Sequence, residues 1–321
     1  MLKVGLPEAV DPDLRRLLPP GISLELIPLC PTQPVEVEFW ITPPVTPHSA
    51  RMLPFLRGLR VAQATVAGVD GLLKLIPPGV TLCDGRGIHD ISTAEWALTA
   101  ILAATKYLPF YDDLRHAGVW SRRKGAEDLY HALHPSTHRL YPHVLSEELH
   151  GQHVLIVGYG AIGRAIEERL QPFGVTITPI ARSARDGVAS IQELPRLLPT
   201  ADIVVLILPF TAETTGLIGA EQIALMKQGA LLVNAARGPV VDTGALLAAL
   251  NRGHIRAAID VTDPEPLPDG HPLWTAPNLL ITPHIASSTP MFMVRAIELA
   301  AAQIGRYLRG EPLLNVVTGD Y

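Results

Sequence analysis

The chain has 321 residues, 48% of them hydrophobic and 18% charged, which is material for two packed domains and argues against disorder. Its 26 basic and 31 acidic side chains give a formal charge of −5, so nothing suggests a nucleic-acid partner or an anionic membrane surface. Two cysteines, Cys30 and Cys83, are too few for a disulfide framework or a cysteine-based zinc site. The N-terminal stretch MLKVGLPEAV lacks the apolar core of a secretory signal, and the apolar run 203–208 is far too short to cross a bilayer. A cytoplasmic protein is the expectation.

Residues 1–90 alternate short apolar runs with Pro and Gly. LKVG, ISLELIPL, VEVEFWI, LRVAQATV and VTLCD read as strands joined by short helices. Ser92 or Thr93 is a candidate cap for one long helix over 94–117, in which Trp96, Leu98, Ile101 and Leu102 recur at helical spacing. Residues 120–150 show weak periodicity and read as an irregular arm. They carry Trp120, an Arg-Arg-Lys cluster and five of the twelve histidines: His131, His134, His138, His143 and His150. Such a stretch invites a metal reading, but no metal is expected.

From His153 onward strands and helices alternate. Strands are predicted at 153–157, 175–180, 202–207, 230–234, 256–260 and 278–281. Helices are predicted at 161–172, 190–198, 220–227 and 243–252, the last capped by Asp242 or Thr243 and closed by Gly253. Apolar strands alternating with helices argue for a parallel sheet covered on both faces. A final helix over 290–309 returns the chain to its first region.

The segment HVLIVGYGAIGRAIEERL holds Gly158, Gly160 and Gly163 in the pattern G-x-G-x-x-G. The pattern alone is weak, but here it follows an apolar strand and opens an amphipathic helix, the context a dinucleotide-binding turn requires. Gly158 permits the tight turn, Gly160 lets backbone approach a pyrophosphate, and Gly163 lets helix pack on strand. Tyr159, Ala161 and Ile162 complete the turn. An NAD site needs an Asp or Glu at the end of the second strand, where this chain has Ala181 followed by Arg182, Ser183 and Arg185. Two guanidiniums and no carboxylate suit a 2′-phosphate, so NADP(H) is favoured over NAD(H). The alternative is a solvated basic turn with no influence on cofactor choice.

Three further motifs follow: NAARG with Arg237, DVTDPEP with Glu265 and TPHIASST with His284. In content and order, and with VAGVDG (66–71), STAEWAL (92–98) and LPFTAETTGLI (208–218), they resemble the D-isomer-specific 2-hydroxyacid dehydrogenases, over nearly all of 59–290. The resemblance makes His284 the acid/base, Glu265 its partner and Arg237 the substrate anchor. Elementary chemistry asks for the same types. Reducing a 2-keto acid needs a proton donor near neutral pH, a carboxylate to stabilise the imidazolium, and a forked cation for the substrate carboxylate.

The resemblance further implies that Ala67 and Gly68 offer backbone N–H groups to substrate. Leu208, Pro209, Thr215, Ala235, Ala236, Arg237, Asp260, His284 and Ala286 would join the glycine turn and the basic residues in holding the cofactor. Trp120 would reach a neighbouring subunit or lie buried in a dimer. The fold implied is α/β with two doubly wound parallel sheets: a Rossmann domain at 93–288 inserted into a discontinuous flavodoxin-like substrate domain, 1–92 with 289–321. Hinges are expected near Ser92 and Ser288, with a cleft that closes over cofactor and substrate.

The function implied is NADPH-dependent reduction of a small 2-keto acid, such as glyoxylate or hydroxypyruvate, by a homodimer. No regulatory domain is expected after residue 321, which argues against a serine-feedback-regulated phosphoglycerate dehydrogenase, and Glu265 stands where formate dehydrogenases place Gln. A dehydrogenase for a bulkier 2-keto acid or phosphite, and a cofactor-sensing corepressor-like dimer, are the alternatives.

Overall fold

A computed structural model of the chain describes residues 1–138 and 142–318. Residues 139–141, in the expected arm, and 319–321, in the expected C-terminal segment, lie outside the described residues. The chain divides into two compact units, Met1–Asp90 with Ser287–Tyr321, and Ile91–Ala286.

In the first unit the strands are β1 (Leu2–Pro7), β2 (Ile22–Ile27), β3 (Val35–Glu36), β4 (Phe39–Ile41), β5 (Leu56–Arg57), β6 (Val61–Gln63) and β7 (Thr81–Cys83). Five form a parallel sheet in the order β2-β1-β4-β6-β7, the flavodoxin-like arrangement, while β3 and β5 pair separately. VEVEFWI, expected as one strand, is two. Val37 N–H donates to the Arg57 carbonyl and Glu38 N–H to that of Lys3, so the chain changes partner midway. Alternation along the strands supplies two cores. Phe39 and Ile41 face Ile297, Ala300 and Ile304 of the helix Phe292–Leu308, whereas Trp40 faces Met52 and Leu72.

The second unit holds β8 (His153–Val157), β9 (Thr176–Ala181), β10 (Ala189–Ser190), β11 (Ile203–Leu206), β12 (Leu231–Asn234), β13 (Arg256–Ile259) and β14 (Leu279–Ile281). All are parallel, in the order β10-β9-β8-β11-β12-β13-β14, the Rossmann sequence with one strand added. The strands are apolar on both faces because both are covered. Val154, Ile156, Val205 and Val233 pack with Ala97, Ile101 and Ile166, while Leu155, Val204, Leu206 and Leu232 pack with Ile223, Leu246 and Leu250.

Four further expectations need correction. The helix expected over 94–117 is two, Asp90–Thr105 and Leu108–Ala117. Pro109 lacks an N–H and its ring would clash one turn back, so the chain breaks at Tyr107, which takes a left-handed φ of 52°. Neither Ser92 nor Thr93 caps the first helix; both lie buried inside it. The arm is partly ordered: Trp120–Lys124 forms a 3-10 turn and Gly125–Leu133 a helix. Finally, the helix expected at 190–198 is a short helix, Leu194–Leu197, between two 3-10 turns, because Pro195 and Pro199 interrupt it. The cap of Thr243–Asn251 resolves to Asp242, whose Oδ1 accepts the Ala245 N–H at 2.7 Å.

Among the described residues no helix is long and apolar enough to cross a membrane.

Candidate active site

Every nucleotide and catalytic candidate of the second unit lies at or just beyond the carboxyl end of its strands. In an open α/β sheet that edge is the ligand edge. The glycine turn links β8 to the helix Ala161–Leu170, whose first turn holds Ala161, Ile162 and Gly163. Gly158 has φ 107°, and a Cβ there would lie 2.4 Å from the Ile207 carbonyl oxygen. A Cβ on Gly163 would lie 2.5 Å from the Gly158 oxygen. Packing of the protein on itself therefore demands both glycines. Gly160 differs: a Cβ there would meet nothing within 4 Å. It caps the helix without a side-chain acceptor, and the first turn carries no acidic residue. Open space in front of unsatisfied helix N–H groups fits the pyrophosphate of a dinucleotide.

Arg182, Ser183 and Arg185 follow β9 and are exposed. Arg182 Nε lies 3.5 Å from Glu213 Oε2. Arg185 donates to the Tyr159 carbonyl at 2.7 Å and sits 5.9 Å from that ring's centre. Leu208, buried, and Pro209, exposed, follow β11, and Thr215 Oγ1 donates to the Thr211 carbonyl. Thus the β9 and β11 loops flank the glycine turn of β8 between them.

Arg237 follows β12 on a turn held by Asn234. Asn234 Oδ1 accepts the Ala236 N–H, and its Nδ2 donates to the Arg237 carbonyl, both at 3.0 Å. Ala235 and Ala236 lie inside this turn. A Cβ at Gly238 would stand 1.9 Å from the Thr262 oxygen, so only glycine lets the Arg237 turn press against the segment leading to Glu265.

His284 follows β14. Its Nδ1 lies 2.5 Å from Glu265 Oε1, with the two side chains 44% and 39% exposed. The hydrogen bond to Glu265 holds the imidazole pKa above its ordinary value, outweighing desolvation; the nearby Arg237 charge also opposes the rise. The reciprocal bond from His284 holds the Glu265 carboxyl below its usual range. The two shifts agree: the pair favours imidazolium and carboxylate together.

His284 takes a left-handed φ of 53°, a conformation costing a non-glycine residue on the order of 1–2 kcal/mol. Asp260 compensates. It is buried after β13, and its carboxylate accepts Thr282 Oγ1 at 2.6 Å and the N–H groups of Ile285 and Ala286 at 2.8 Å each. Its carbonyl accepts the His284 N–H at 2.7 Å. Trp96 Nε1 donates to Thr282 Oγ1 at 3.0 Å. Cofactor contact by Asp260 and Ala286 is what the resemblance implies; in the structure the two are bonded to each other and set the histidine loop. Thr282 and Asn234, the first residues of TPHIASST and NAARG, act as supports that those motifs alone do not reveal.

Ala67 and Gly68 belong to the first unit, half-buried on the loop after β6. Trp120 is 82% exposed. Among the described residues no group of three or more His, Cys, Asp or Glu side chains is placed to hold a metal ion.

Comparison with known proteins bears on this geometry. Residues 98–286, more than half of the chain, match the family model described as D-isomer specific 2-hydroxyacid dehydrogenase, NAD binding domain. A glyoxylate reductase of Aeropyrum pernix is 35% identical over 248 residues, 75% of this chain and 70% of that one. A D-3-phosphoglycerate dehydrogenase of Methanocaldococcus jannaschii is 34% identical over 268 residues, 81% of this chain but only 47% of that one. Among solved structures, a D-isomer specific 2-hydroxyacid dehydrogenase from Xanthobacter autotrophicus Py2, in complex with NADPH and MES, superposes with a TM-score of 0.78. It is 30% identical, covering 99% of this chain and 98% of that one.

Proposed function

The chain belongs to the D-isomer-specific 2-hydroxyacid dehydrogenase family, an NAD(P)-dependent oxidoreductase family, and from that premise we propose that it reduces a small 2-keto acid of the glyoxylate or hydroxypyruvate kind with NADPH. The observation that carries the reading is the 2.5 Å pairing of His284 with Glu265, beside Arg237, at the ligand edge of the sheet. A reduced nicotinamide dinucleotide held at the glycine turn would supply the hydride for the keto carbon.

His284 supplies the proton. With Nδ1 tied to Glu265, Nε2 is the atom that hands a proton to the carbonyl oxygen, and the raised pKa favours the protonated ring that the step needs. Glu265 fixes the ring and stabilises its charge. Arg237 presents a planar fork of donors suited to a carboxylate and to the developing oxyanion. Ala67 and Gly68 of the first unit are proposed as backbone donors to a carboxylate, on the VAGVDG resemblance alone.

The glycine turn, with Leu208, Pro209, Thr215, Ala235 and Ala236 around it, is proposed to hold the dinucleotide. Arg182 and Arg185 would favour its 2′-phosphate. The reading extends to a cytoplasmic homodimer built on the helices Asp90–Thr105 and Leu108–Ala117 and the 120–150 arm, which light scattering tests directly.

Initial rates across a 2-keto-acid panel with NADPH and NADH test the proposal. Rapid NADPH oxidation by glyoxylate and hydroxypyruvate is expected. A higher kcat/KM with NADH overturns the cofactor reading. The Methanocaldococcus relative favours a second reading, a phosphorylated 2-hydroxy acid, so 3-phosphohydroxypyruvate belongs in the panel.

A further inference from the structure

We propose that Glu213 is a specificity-determining residue that tunes the preference for a 2′-phosphorylated dinucleotide, acting as an internal stand-in for the phosphate on Arg182. The inference rests on the cofactor reading above. Three observations carry it. First, Arg182 leaves the end of β9 and Glu213 sits on the loop after β11, and those strands lie on opposite sides of β8. Their 3.5 Å ion pair therefore joins the two loops that flank the glycine turn, at the side where the second strand's end meets an adenosine ribose. Second, Arg185 donates to the Tyr159 carbonyl and lies over that ring, so the second cation of the basic turn is tied to the glycine turn itself. Third, the strand end itself carries Ala181 rather than a carboxylate, so Glu213 brings an acidic group to this corner from another loop.

Two consequences oppose each other. A phosphate monoester carries up to two charges and three acceptor oxygens, so it displaces a carboxylate from Arg182. Until then Glu213 competes for the guanidinium, and afterwards it repels the phosphate. A dinucleotide without the 2′-phosphate offers no comparable exchange. Glu213 thus sets the affinity for the phosphorylated cofactor below what the arginines alone would give. Both side chains are well exposed, at 63% and 75%, so the effect is modest and salt-sensitive.

The test is calorimetric titration of the whole protein with 2′,5′-ADP and with ADP, in wild type, Glu213→Gln, Arg182→Ala and the double variant. Exchanging the exposed Glu213 for Gln leaves folding intact. Wild type is expected to bind 2′,5′-ADP more tightly than ADP. Glu213→Gln is expected to tighten 2′,5′-ADP about three- to tenfold at low salt, to leave ADP unchanged, and to lose its effect in the Arg182→Ala background. Tightening that persists without Arg182, or no tightening at all, overturns the inference while leaving the NADP(H) reading standing. Weaker ADP binding in Glu213→Gln overturns it differently, by making Glu213 the ribose acceptor of an NAD site. A wild type that prefers ADP removes the cofactor reading and this inference with it.

Discussion

The two edges of the seven-stranded sheet carry the same three residue types and put them to different use. At the carboxyl edge stand His284, Glu265 and Arg237. At the amino edge His134 Nε2 lies 3.3 Å from Glu147 Oε2, and Arg256 Nη1 donates to Glu147 Oε1 at 3.0 Å. A polar cavity of about 540 Å³, lined by His134, Glu147, Lys227 and Arg256 among others, opens beside this second trio. The amino-edge carboxylate is saturated: Tyr107 Oη donates to it at 2.5 Å, and the Glu147 and Arg256 side chains are only 9% and 8% exposed. At the carboxyl edge the histidine and glutamate stay about two-fifths exposed and the histidine backbone is left-handed. A saturated buried carboxylate braces an arm to a sheet. A half-exposed pair with a ring nitrogen to spare can exchange a proton with a ligand.

Removing either glutamate probes this contrast, and the largest effect is expected at the brace. Glu147→Ala leaves the buried Arg256 cation without its counterion and should cost about 3–5 kcal/mol of folding stability. Urea unfolding measures it, and turnover of the folded fraction should stay near wild type. A stable Glu147→Ala protein with no activity would invert the assignment of the two trios.

Next in size, His284→Ala should lower kcat by about two orders of magnitude or more, with an unchanged unfolding midpoint. Steady-state kinetics beside a thermal melt reads both. His134→Ala, in contrast, should leave kcat within a few-fold of wild type.

Glu265→Gln sharpens the comparison through pH. Reduction needs the imidazolium, so kcat/KM for the keto acid falls as pH rises through the raised His284 pKa. Losing the Glu265 charge returns that pKa toward 6.5 and moves the fall to lower pH, which a profile from pH 5 to 10 records.

The smallest effect is on stability. His284 contributes fully below its unfolded value near 6.5, and its share is lost as pH rises through the raised folded value. Glu265 contributes above 4.5, and its share is lost as pH falls through the lowered one. The pair therefore stabilises most between those limits, by at most about 1 kcal/mol at this exposure. Glu265→Gln should flatten that part of a urea-midpoint curve.

Much of this was legible in the sequence. The strands of the second unit, the glycine turn and the Asp242 cap follow from apolar periodicity and special backbone needs, while the three catalytic candidates are what the family resemblance of their motifs implies. Pro109, Pro195 and Pro199 break helices that apolar periodicity alone would run straight through, because proline has no N–H and crowds the preceding turn. The arm reads as irregular in the sequence because its helix Gly125–Leu133 is one short element among turns.

What the sequence by itself determined is local: alternating strands and helices, where the chain turns tightly, and which side chains could move a proton. Only the tertiary structure decided which of the histidine-paired carboxylates is buried and saturated and which stays half-exposed. Glu147 meets Arg256 from a point 109 residues earlier, and Trp96 steadies Thr282 across 186. Burial and saturation of a polar group depend on such distant neighbours, and no pattern within a strand or a helix encodes them.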